Sequence, residues 1–151
     1  MLRYRWIVFD ADGTLFDYER AELSALTRTF GLYGIEFNST VHRLFGEING
    51  RLWAEFEQGK VSSQRLRVQR FEELLRDCKP ELCASRFSAD YLGNLGSECA
   101  LLPWAGEVVR QLSRDCDLVL ATNGIAEVQH SRFGASTIKP YFKSLVISAE
   151  I

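Results

Sequence analysis

The sequence predicts an α/β fold in which a parallel sheet is interrupted by a helical insertion. Three short apolar runs, at residues 6–9, 118–121 and 145–147, have the length and composition of strands. Continuous apolar runs of this kind are typical of strands buried on both faces of a parallel sheet. Residues 17–100 carry only helical patterns, and another helical pattern separates the second and third runs. This order favours a doubly wound parallel sheet with an insertion after its first strand.

The first apolar run ends in two aspartates that lie one residue apart. Asp10 and Asp12 follow residues 6–9 directly, and Gly13 lets the backbone turn away without a side chain blocking the approach. In open α/β sheets the ligand crevice lies just beyond the carboxyl ends of the strands. The two carboxylates are therefore predicted to lie in that crevice, close enough to share one divalent cation. A buried strand that ends in an aspartate turn is the alternative interpretation.

Four helical patterns fill the insertion. Their apolar residues recur at three- and four-residue spacing, and polar caps, glycines and one proline mark their ends. In chain order, the predicted helices are one that Asp17 begins and Gly31 and Gly34 end, one from Asn38-Ser39-Thr40 to Gly59, one from Ser62 or Ser63 through Cys78 that Pro80 breaks, and a weaker one from Cys83 to Leu95.

The chain after residue 100 returns to alternating helices and strands. Pro103 suits the first turn of a helix that continues through Leu112. A second helix is predicted from Ile125 to about Ala135, and Pro140 ends that stretch before the third strand.

The second strand ends in polar residues, as the first one does. Thr122, Asn123 and Gly124 follow residues 118–121. A hydroxyl and backbone N–H groups at a strand-to-helix turn can hold a phosphate, aided by the N-terminus of the next helix. If the two strands are neighbours in the sheet, this turn and the aspartates face one crevice. Taken alone, the turn is equally compatible with a simple helix start.

The composition is that of an ordinary globular protein. The 151 residues carry a net charge of −2, with 46% hydrophobic and 25% charged residues. This length predicts one domain, or one domain with an insertion. The sequence has no dense basic run of the kind that would indicate a nucleic-acid partner. The N-terminal apolar run is too short for a signal peptide or a membrane span. The four cysteines have no disulfide or metal-site spacing, so we expect a cytoplasmic protein without a membrane partner.

Both strand ends resemble motifs of a known family. The string D-A-D-G-T-L-F at residues 10–16 resembles the first motif of the haloacid dehalogenase (HAD) superfamily of phosphohydrolases, and V-L-A-T-N-G at 119–124 resembles its second. The resemblance implies an enzyme that hydrolyses a small phosphate monoester with Mg²⁺. It implies that Asp10 is the nucleophile, that Asp12 is the general acid/base, and that both hold the metal. Residues 122–124 would then bind the phosphate.

The resemblance also implies a domain organisation. Residues 1–16 and 101–151 would form a partial Rossmann-like (HAD) parallel sheet with its helices, and residues 17–100 an inserted α-helical cap. Within the superfamily, a phosphomutase is an alternative because it uses the same aspartate pair. A dehalogenase is disfavoured because that chemistry needs neither a metal nor the second aspartate.

The insertion is similar to that of one branch of the family. The strings I-N-G-R-L-W-A-E-F-E-Q-G-K and Q-R-F-E-E-L-L resemble segments of bacterial pyrimidine 5'-nucleotidases, which implies a nucleoside 5'-monophosphate as the substrate. In such enzymes the cap selects the substrate. Asn49, Trp53 and Arg70 are the candidates for that contact, and packing within the cap is the alternative for each.

The resemblance implies two further motifs that this chain does not contain. One is a lysine after the third strand, and the other is an acidic pair at the end of a fourth strand. Lys139 and Lys143 precede the third strand and do not match the family's lysine. A truncated, catalytically silent fragment that binds phosphate or a protein is therefore the alternative function. The strand at residues 6–9 would then have an exposed apolar edge, which predicts a homodimer.

Overall fold

The computed structural model describes residues 4–151, which form two compact units. One unit comprises the described residues up to Ser24 together with those from Leu95 onward, and the other comprises Ala25–Asn94. The first unit is α/β and the second is helical. The predicted domain boundaries, after residues 16 and 100, stay a prediction.

Three strands and six α-helices occupy residues 4–151. The strands are β1 (Trp6–Asp10), β2 (Asp117–Thr122) and β3 (Phe142–Ile147). The helices are α1 (Tyr18–Leu32), α2 (Ser39–Glu57), α3 (Ser63–Leu75), α4 (Ala84–Gly96), α5 (Ala105–Leu112) and α6 (Ala126–Ala135). Short 3₁₀ turns at Lys139–Tyr141 and Ser148–Glu150 flank β3. The predicted α/β class, with a helical segment after the first strand, is confirmed.

The three strands form one parallel sheet in the order β1-β2-β3. In the register of the first pair, Asp10 lies opposite Ala121, and in the second pair Ala121 lies opposite Val146. The carboxyl ends of all three strands therefore meet at one edge of the sheet. This arrangement confirms that the first two predicted strands are neighbours.

The core of the α/β unit lies around β2. Leu118 and Leu120 are fully buried, and Phe16 and Val109 pack in the same cluster. Burying one such side chain contributes roughly 1.5–3 kcal/mol. The Phe142 ring adds an edge-to-face contact to Phe133, with the ring centroids 5.8 Å apart.

One face of β1 is exposed, contrary to the expectation of a strand buried on both faces. Trp6 and Val8 are 52% and 64% exposed, whereas Ile7 and Phe9 pack against the core. Successive side chains of a strand point to opposite faces of the sheet, and only one face of β1 meets the core. The edge position of β1 agrees with the predicted apolar edge. Pairing of that edge with a second copy stays a prediction.

Capping residues begin three of the helices where the sequence predicts. Oxygen atoms of the Asp17, Asn38 and Ser62 side chains accept hydrogen bonds from backbone N–H groups three residues further on, at 3.1–3.2 Å. Such caps satisfy N–H groups that the first helical turn leaves without a partner. Gly34 has a φ of +62°, as expected for a residue that ends a helix.

Two helix ends differ from the prediction. Gly31 lies inside α1, one residue before the helix ends at Leu32, because a glycine with an ordinary backbone conformation does not interrupt a helix. The third helix ends at Leu75 rather than at Cys78, whose thiol instead bonds the carbonyl oxygens of the last turn.

An aromatic cluster forms the core of the helical unit. Neighbouring ring centroids lie 5.1–5.9 Å apart. The rings are those of Phe30, Phe45, Phe71, Phe87 and Tyr91. All five side chains are fully buried, so these rings supply much of the apolar burial of the unit. Across residues 4–151, no helix combines the length and the apolar character that crossing a membrane requires.

Trp104 has a strained backbone at the start of α5. Its φ is +67°, and it is the one residue other than glycine with a positive φ in the part of the chain that the structure describes. The left-handed conformation costs an L-residue roughly 1–2 kcal/mol. The indole does not offset this cost by burial, since the side chain is 81% exposed.

Replacing Trp104 by glycine is expected to stabilise the protein. Trp104→Gly should raise the free energy of unfolding in urea by about 0.5–1 kcal/mol, because relief of the left-handed strain exceeds the entropy that glycine loses on folding. Trp104→Ala is the matched control: it removes the same ring but keeps the strain, so it should give no such gain. Equal gains in the two variants would contradict this account.

Cys83 is an exposed thiol just before α4, and all four cysteines are free. Its sulfur lies 3.0 Å from the Ser85 hydroxyl. The pKa of the Cys83 thiol lies below its usual range, first because of the hydrogen bond with Ser85 and then because of the backbone N–H of Arg86.

The lowered pKa of Cys83 predicts faster alkylation at neutral pH. Iodoacetamide reacts with the thiolate, so the pH midpoint of the alkylation rate at Cys83, followed by peptide mass spectrometry, should lie lower in the folded chain than in urea. Ser85→Ala should move the folded midpoint upward. An identical midpoint in the folded and unfolded chains would refute the prediction.

Candidate active site

A tight turn after β1 places the two aspartates. The backbone N–H groups of Leu15 and Phe16 both donate to the Ala11 carbonyl oxygen at 3.0 Å, and Gly13 takes a φ of +76°. Ala11 is fully buried between Asp10 and Asp12. The turn thus anchors the residue between the two carboxylates in the core.

Asp10 has an exposed carboxylate at the end of β1. Among residues 4–151, no side chain forms a hydrogen bond or an ion pair with it. Its neighbour across the sheet is Ala121, the residue before Thr122. The structure therefore brings Asp10 beside the second predicted motif with its oxygen atoms uncommitted.

Thr122 occupies the corresponding position at the end of β2. It is almost fully buried, and its Oγ1 accepts a hydrogen bond from the Gly124 backbone N–H at 3.1 Å. A hydroxyl that accepts from one group can still donate its own proton to another. Asn123 is exposed in the same turn, and α6 begins two residues after Gly124. The turn therefore offers a hydroxyl donor close to a helix N-terminus, and binding of phosphate there stays a prediction.

Asp12 is held by two side chains that the sequence analysis missed. Gln129 Nε2 donates to Asp12 Oδ2 at 2.7 Å, and Arg132 Nη1 donates to Asp12 Oδ1 at 2.5 Å. Gln129 is buried and Arg132 is completely inaccessible to solvent. Both donors lie on α6, three residues apart and therefore on one face of the helix. A signal was present: with Ile125, they occupy the i, i+4 and i+7 positions of the buried stripe.

Gly124 is required by the path of the Gln129 side chain. A Cβ atom at Gly124 would lie 2.1 Å from Gln129 Nε2 and 2.9 Å from its Cγ. Real Cβ atoms essentially never lie this close to another heavy atom, so the Gln129 side chain would have to move. The absence of a side chain in this turn therefore lets the Gln129 amide reach Asp12.

A cavity of about 400 Å³ opens beside Asp12 within the α/β unit. Its volume is within the usual range for small-molecule sites. The lining residues are Asp12, Gly13, Asp17, Tyr18, Glu19 and Leu102. One carboxylate of the predicted pair thus has free space next to it.

Two of the three candidate cap residues contact each other. Arg70 Nη1 donates to Asn49 Oδ1 at 3.1 Å, and both side chains are buried. The guanidinium lies over the Tyr91 and Phe71 rings, 4.9 Å and 5.2 Å from their centroids. Its Nε and Nη2 atoms have no hydrogen-bond partner among the described residues. Trp53 is half-buried and packs edge-on against Phe56, with the centroids 5.6 Å apart.

The chain offers two carboxylates for a metal ion. Within residues 4–151, no group of three or more His, Cys, Asp or Glu side chains could hold one. Mg²⁺ is commonly bound by one or two carboxylates together with water and substrate phosphates. Asp10 has free oxygen atoms, and each Asp12 oxygen keeps one lone pair beside its hydrogen bond, so the pair fits that mode. Lys143 lies within β3, not before it as predicted, because the strand begins at Phe142. It pairs with Asp117 at the amino end of β2 and so lies away from the carboxyl ends of the strands.

Three curated proteins are similar to nearly the whole chain. YfnB of Bacillus subtilis, a HAD-hydrolase by name, is 30% identical to this chain over 150 residues. Two pyrimidine 5'-nucleotidases are also similar. PynA of Streptococcus pneumoniae is 32% identical over 149 residues, and YjjG of Escherichia coli is 27% identical over 150 residues. These alignments include 98–99% of this chain. The chain spans 63–65% of the length of these relatives. No protein-family model matches the sequence.

Solved structures give the same assignment. The magnesium-bound crystal structure of Bacillus subtilis YfnB matches 99% of this chain and 67% of its own, with a TM-score of 0.92 and 30% identity. A Thermotoga maritima protein with a provisional β-phosphoglucomutase name and an L-2-haloacid dehalogenase from Xanthobacter autotrophicus share the fold, both with TM-scores of 0.70, at 18% and 15% identity. The chain therefore belongs to the HAD superfamily of hydrolases.

Proposed function

We propose that this chain is part of a Mg²⁺-dependent phosphatase that hydrolyses a nucleoside 5'-monophosphate, with a pyrimidine base preferred. The observation that carries the proposal is the parallel pairing of β1 with β2, which sets Asp10 beside the 122–124 turn. Two relatives with nucleotidase names support the choice of substrate. The hydrolase and nucleotidase names of the relatives do not favour a silent fragment. A cytoplasmic location stays a prediction.

The reaction has two displacements at phosphorus. An Asp10 carboxylate oxygen forms a bond to phosphorus while the bond to the nucleoside 5'-oxygen breaks, and the Asp12 carboxyl gives its proton to that oxygen. Water then forms the next bond to phosphorus and gives its proton to the Asp12 carboxylate. The bond between phosphorus and Asp10 breaks, which frees the Asp10 carboxylate and leaves Asp12 protonated for the next cycle. Asp12 forms its ion pair with Arg132 in the state without that proton.

The second strand supplies groups that hold the phosphate. The Thr122 hydroxyl donates a hydrogen bond to a phosphate oxygen, while its oxygen continues to accept the hydrogen bond from the Gly124 backbone N–H. Asn123 and the N-terminus of α6, which follow Thr122 in the chain, add further donors. The cavity beside Asp12 has room for a group that exchanges a proton with the Asp12 carboxyl.

Asp10 and Asp12 are the residues that would hold Mg²⁺. The ion, when bound, neutralises the charge on the phosphate oxygens and the nucleophile. Asp10 has the free carboxylate that this role requires, since no described side chain engages it. A magnesium-bound relative with 30% identity supports the choice of metal.

Phosphate release from nucleoside monophosphates tests the proposed function. We expect free inorganic phosphate from pyrimidine 5'-monophosphates in the presence of Mg²⁺, and its loss with a chelator. Asp10→Asn should reduce the rate to background because an amide does not form the covalent intermediate. Asp115→Asn, a change of an exposed aspartate in the same unit, is the matched control and should retain full activity.

Three results would contradict the proposal. They are Mg²⁺-independent turnover, turnover that survives Asp10→Asn, and, with a sugar phosphate supplied as a second substrate, its isomerisation without release of inorganic phosphate. The last result would favour the phosphomutase alternative.

We also propose that Arg70 binds an acceptor group of the substrate, with Asn49 orienting the guanidinium and Trp53 as a further contact. The support is the buried guanidinium, whose Nε and Nη2 have no acceptor among residues 4–151. A buried donor without a partner destabilises a protein by roughly 1–3 kcal/mol. A carbonyl oxygen of a pyrimidine base would remove that cost.

Substitution of Arg70 should separate binding from stability. Arg70→Met should raise KM for a pyrimidine 5'-monophosphate about 10- to 100-fold, since a hydrogen bond from a charged donor contributes roughly 1.5–3 kcal/mol. The free energy of unfolding should be unchanged or higher, because an apolar side chain of similar size replaces a buried charge. Arg65→Met, on the exposed face of α3, is the control. A less stable variant with an unchanged KM would show that Arg70 is structural.

A further inference from the structure

We propose that Gln129 and Arg132 are positioning residues that hold the Asp12 carboxylate in the orientation needed for proton transfer. This inference rests on the proposed phosphatase reaction. It adds a function for α6, whose two buried polar side chains belong to neither sequence motif. The geometry carries the proposal: each donor engages a different oxygen of Asp12, at 2.7 Å and 2.5 Å.

Two donors on different oxygens fix the plane of a carboxylate. Each oxygen of Asp12 uses one lone pair toward α6 and keeps the other. The carboxylate therefore does not rotate without breaking a hydrogen bond to a buried group. The remaining lone pairs have fixed directions, and the cavity lined by Asp12 gives them free space.

Arg132 is itself held in place. Its Nε donates to the Glu98 carbonyl oxygen at 2.7 Å, and its guanidinium lies over the Phe16 and Tyr18 rings, 4.9 Å and 5.9 Å from their centroids. The planar guanidinium makes these contacts simultaneously, as a lysine ammonium would not. Arg132 is therefore fixed by contacts within the core, and its hydrogen bond in turn fixes the Asp12 carboxylate.

Stability alone does not explain this cluster. Arg132 is completely inaccessible to solvent, and its Nη2 has no partner among the described residues. Apolar side chains of similar size often replace buried ion pairs without loss of stability. Gly124 also lacks the side chain that would block Gln129. The cluster fits a role in orienting Asp12 better than a role in packing.

The leaving group provides the test. A nucleoside 5'-oxygen is a strongly basic leaving group that needs a proton as the bond to phosphorus breaks, whereas a nitrophenolate leaves without one. In single-turnover experiments with Mg²⁺, Gln129→Leu and Arg132→Met should slow nucleoside release by about 10- to 100-fold. Release of nitrophenolate from p-nitrophenyl phosphate should fall only a few-fold, and KM for both substrates should stay near the wild-type value. Arg132→Lys should restore part of the loss, and Arg110→Met, on the exposed face of α5, should cause none.

A readout independent of turnover accompanies the kinetics. The ¹³C resonance of the Asp12 carboxyl, assigned with Asp12→Asn, should move in both Gln129→Leu and Arg132→Met and stay in place in Arg110→Met. Equal losses on the two substrates, or an unmoved resonance, would overturn the positioning role. If the wild-type chain hydrolyses neither substrate, although the Asp12 resonance moves in Gln129→Leu and Arg132→Met, the proposed function is overturned and this role with it. A responsive resonance with unaltered nucleoside release would overturn the positioning role alone.

Discussion

The rest of the α/β unit depends on the parallel pairing of β1 with β2. The two strands are joined in a register that sets Trp6 opposite Asp117 and Asp10 opposite Ala121, although the whole helical unit lies between them in the chain. A slip of one residue would turn every β1 side chain to the other face of the sheet. Closing so long a segment has an entropic cost, which the burial of Leu118 and Leu120 helps to offset. The register that buries the core is therefore also the register that assembles the candidate site.

The same pairing of β1 with β2 explains why α6 can carry buried polar side chains. Gln129 and Arg132 occupy buried positions where leucine or methionine would be the usual choice. Their acceptor, Asp12, comes from a residue 117 and 120 positions earlier in the chain and is present only because β1 lies beside β2. The need for glycine at position 124 also depends on this cluster. The Gln129 amide occupies the space that a side chain would take there, and the backbone angles of Gly124 do not themselves require a glycine. The polar cluster is thus stable only in the completed sheet.

The sequence predicts the elements well because their signals are local. Apolar runs identify the three strands, and Asp17, Asn38 and Ser62 mark helix starts through caps made within four residues. The features it does not predict depend on distant partners. The exposed face of β1 depends on which distant segments pack on the sheet, and the donors on Asp12 belong to residues more than 100 positions away in the chain.

The left-handed backbone at Trp104 and the complete burial of Arg70 are not predicted by the sequence for a different reason. The left-handed backbone at Trp104 is a conformation for which glycine or asparagine is the usual indicator. Arg70 lies among apolar residues on the buried face of α3. Its burial is not predicted from the sequence because arginine side chains are usually exposed to solvent. In both cases the residue type contradicts its environment. Such contradictions between sequence pattern and structure are typical of functional or strained sites.

The two buried arginines differ in what balances their charge. Arg132 faces a carboxylate, so the desolvation of its guanidinium is offset by an ion pair and a main-chain carbonyl. Arg70 has the aromatic rings and one amide oxygen, and no carboxylate among the described residues pairs with it. Cation–π contacts of desolvated groups contribute about 2 kcal/mol, less than the several kcal/mol that burial of a charge costs. A ligand that brings an acceptor atom therefore gains more free energy at Arg70 than at Arg132, where the acceptor is already in place.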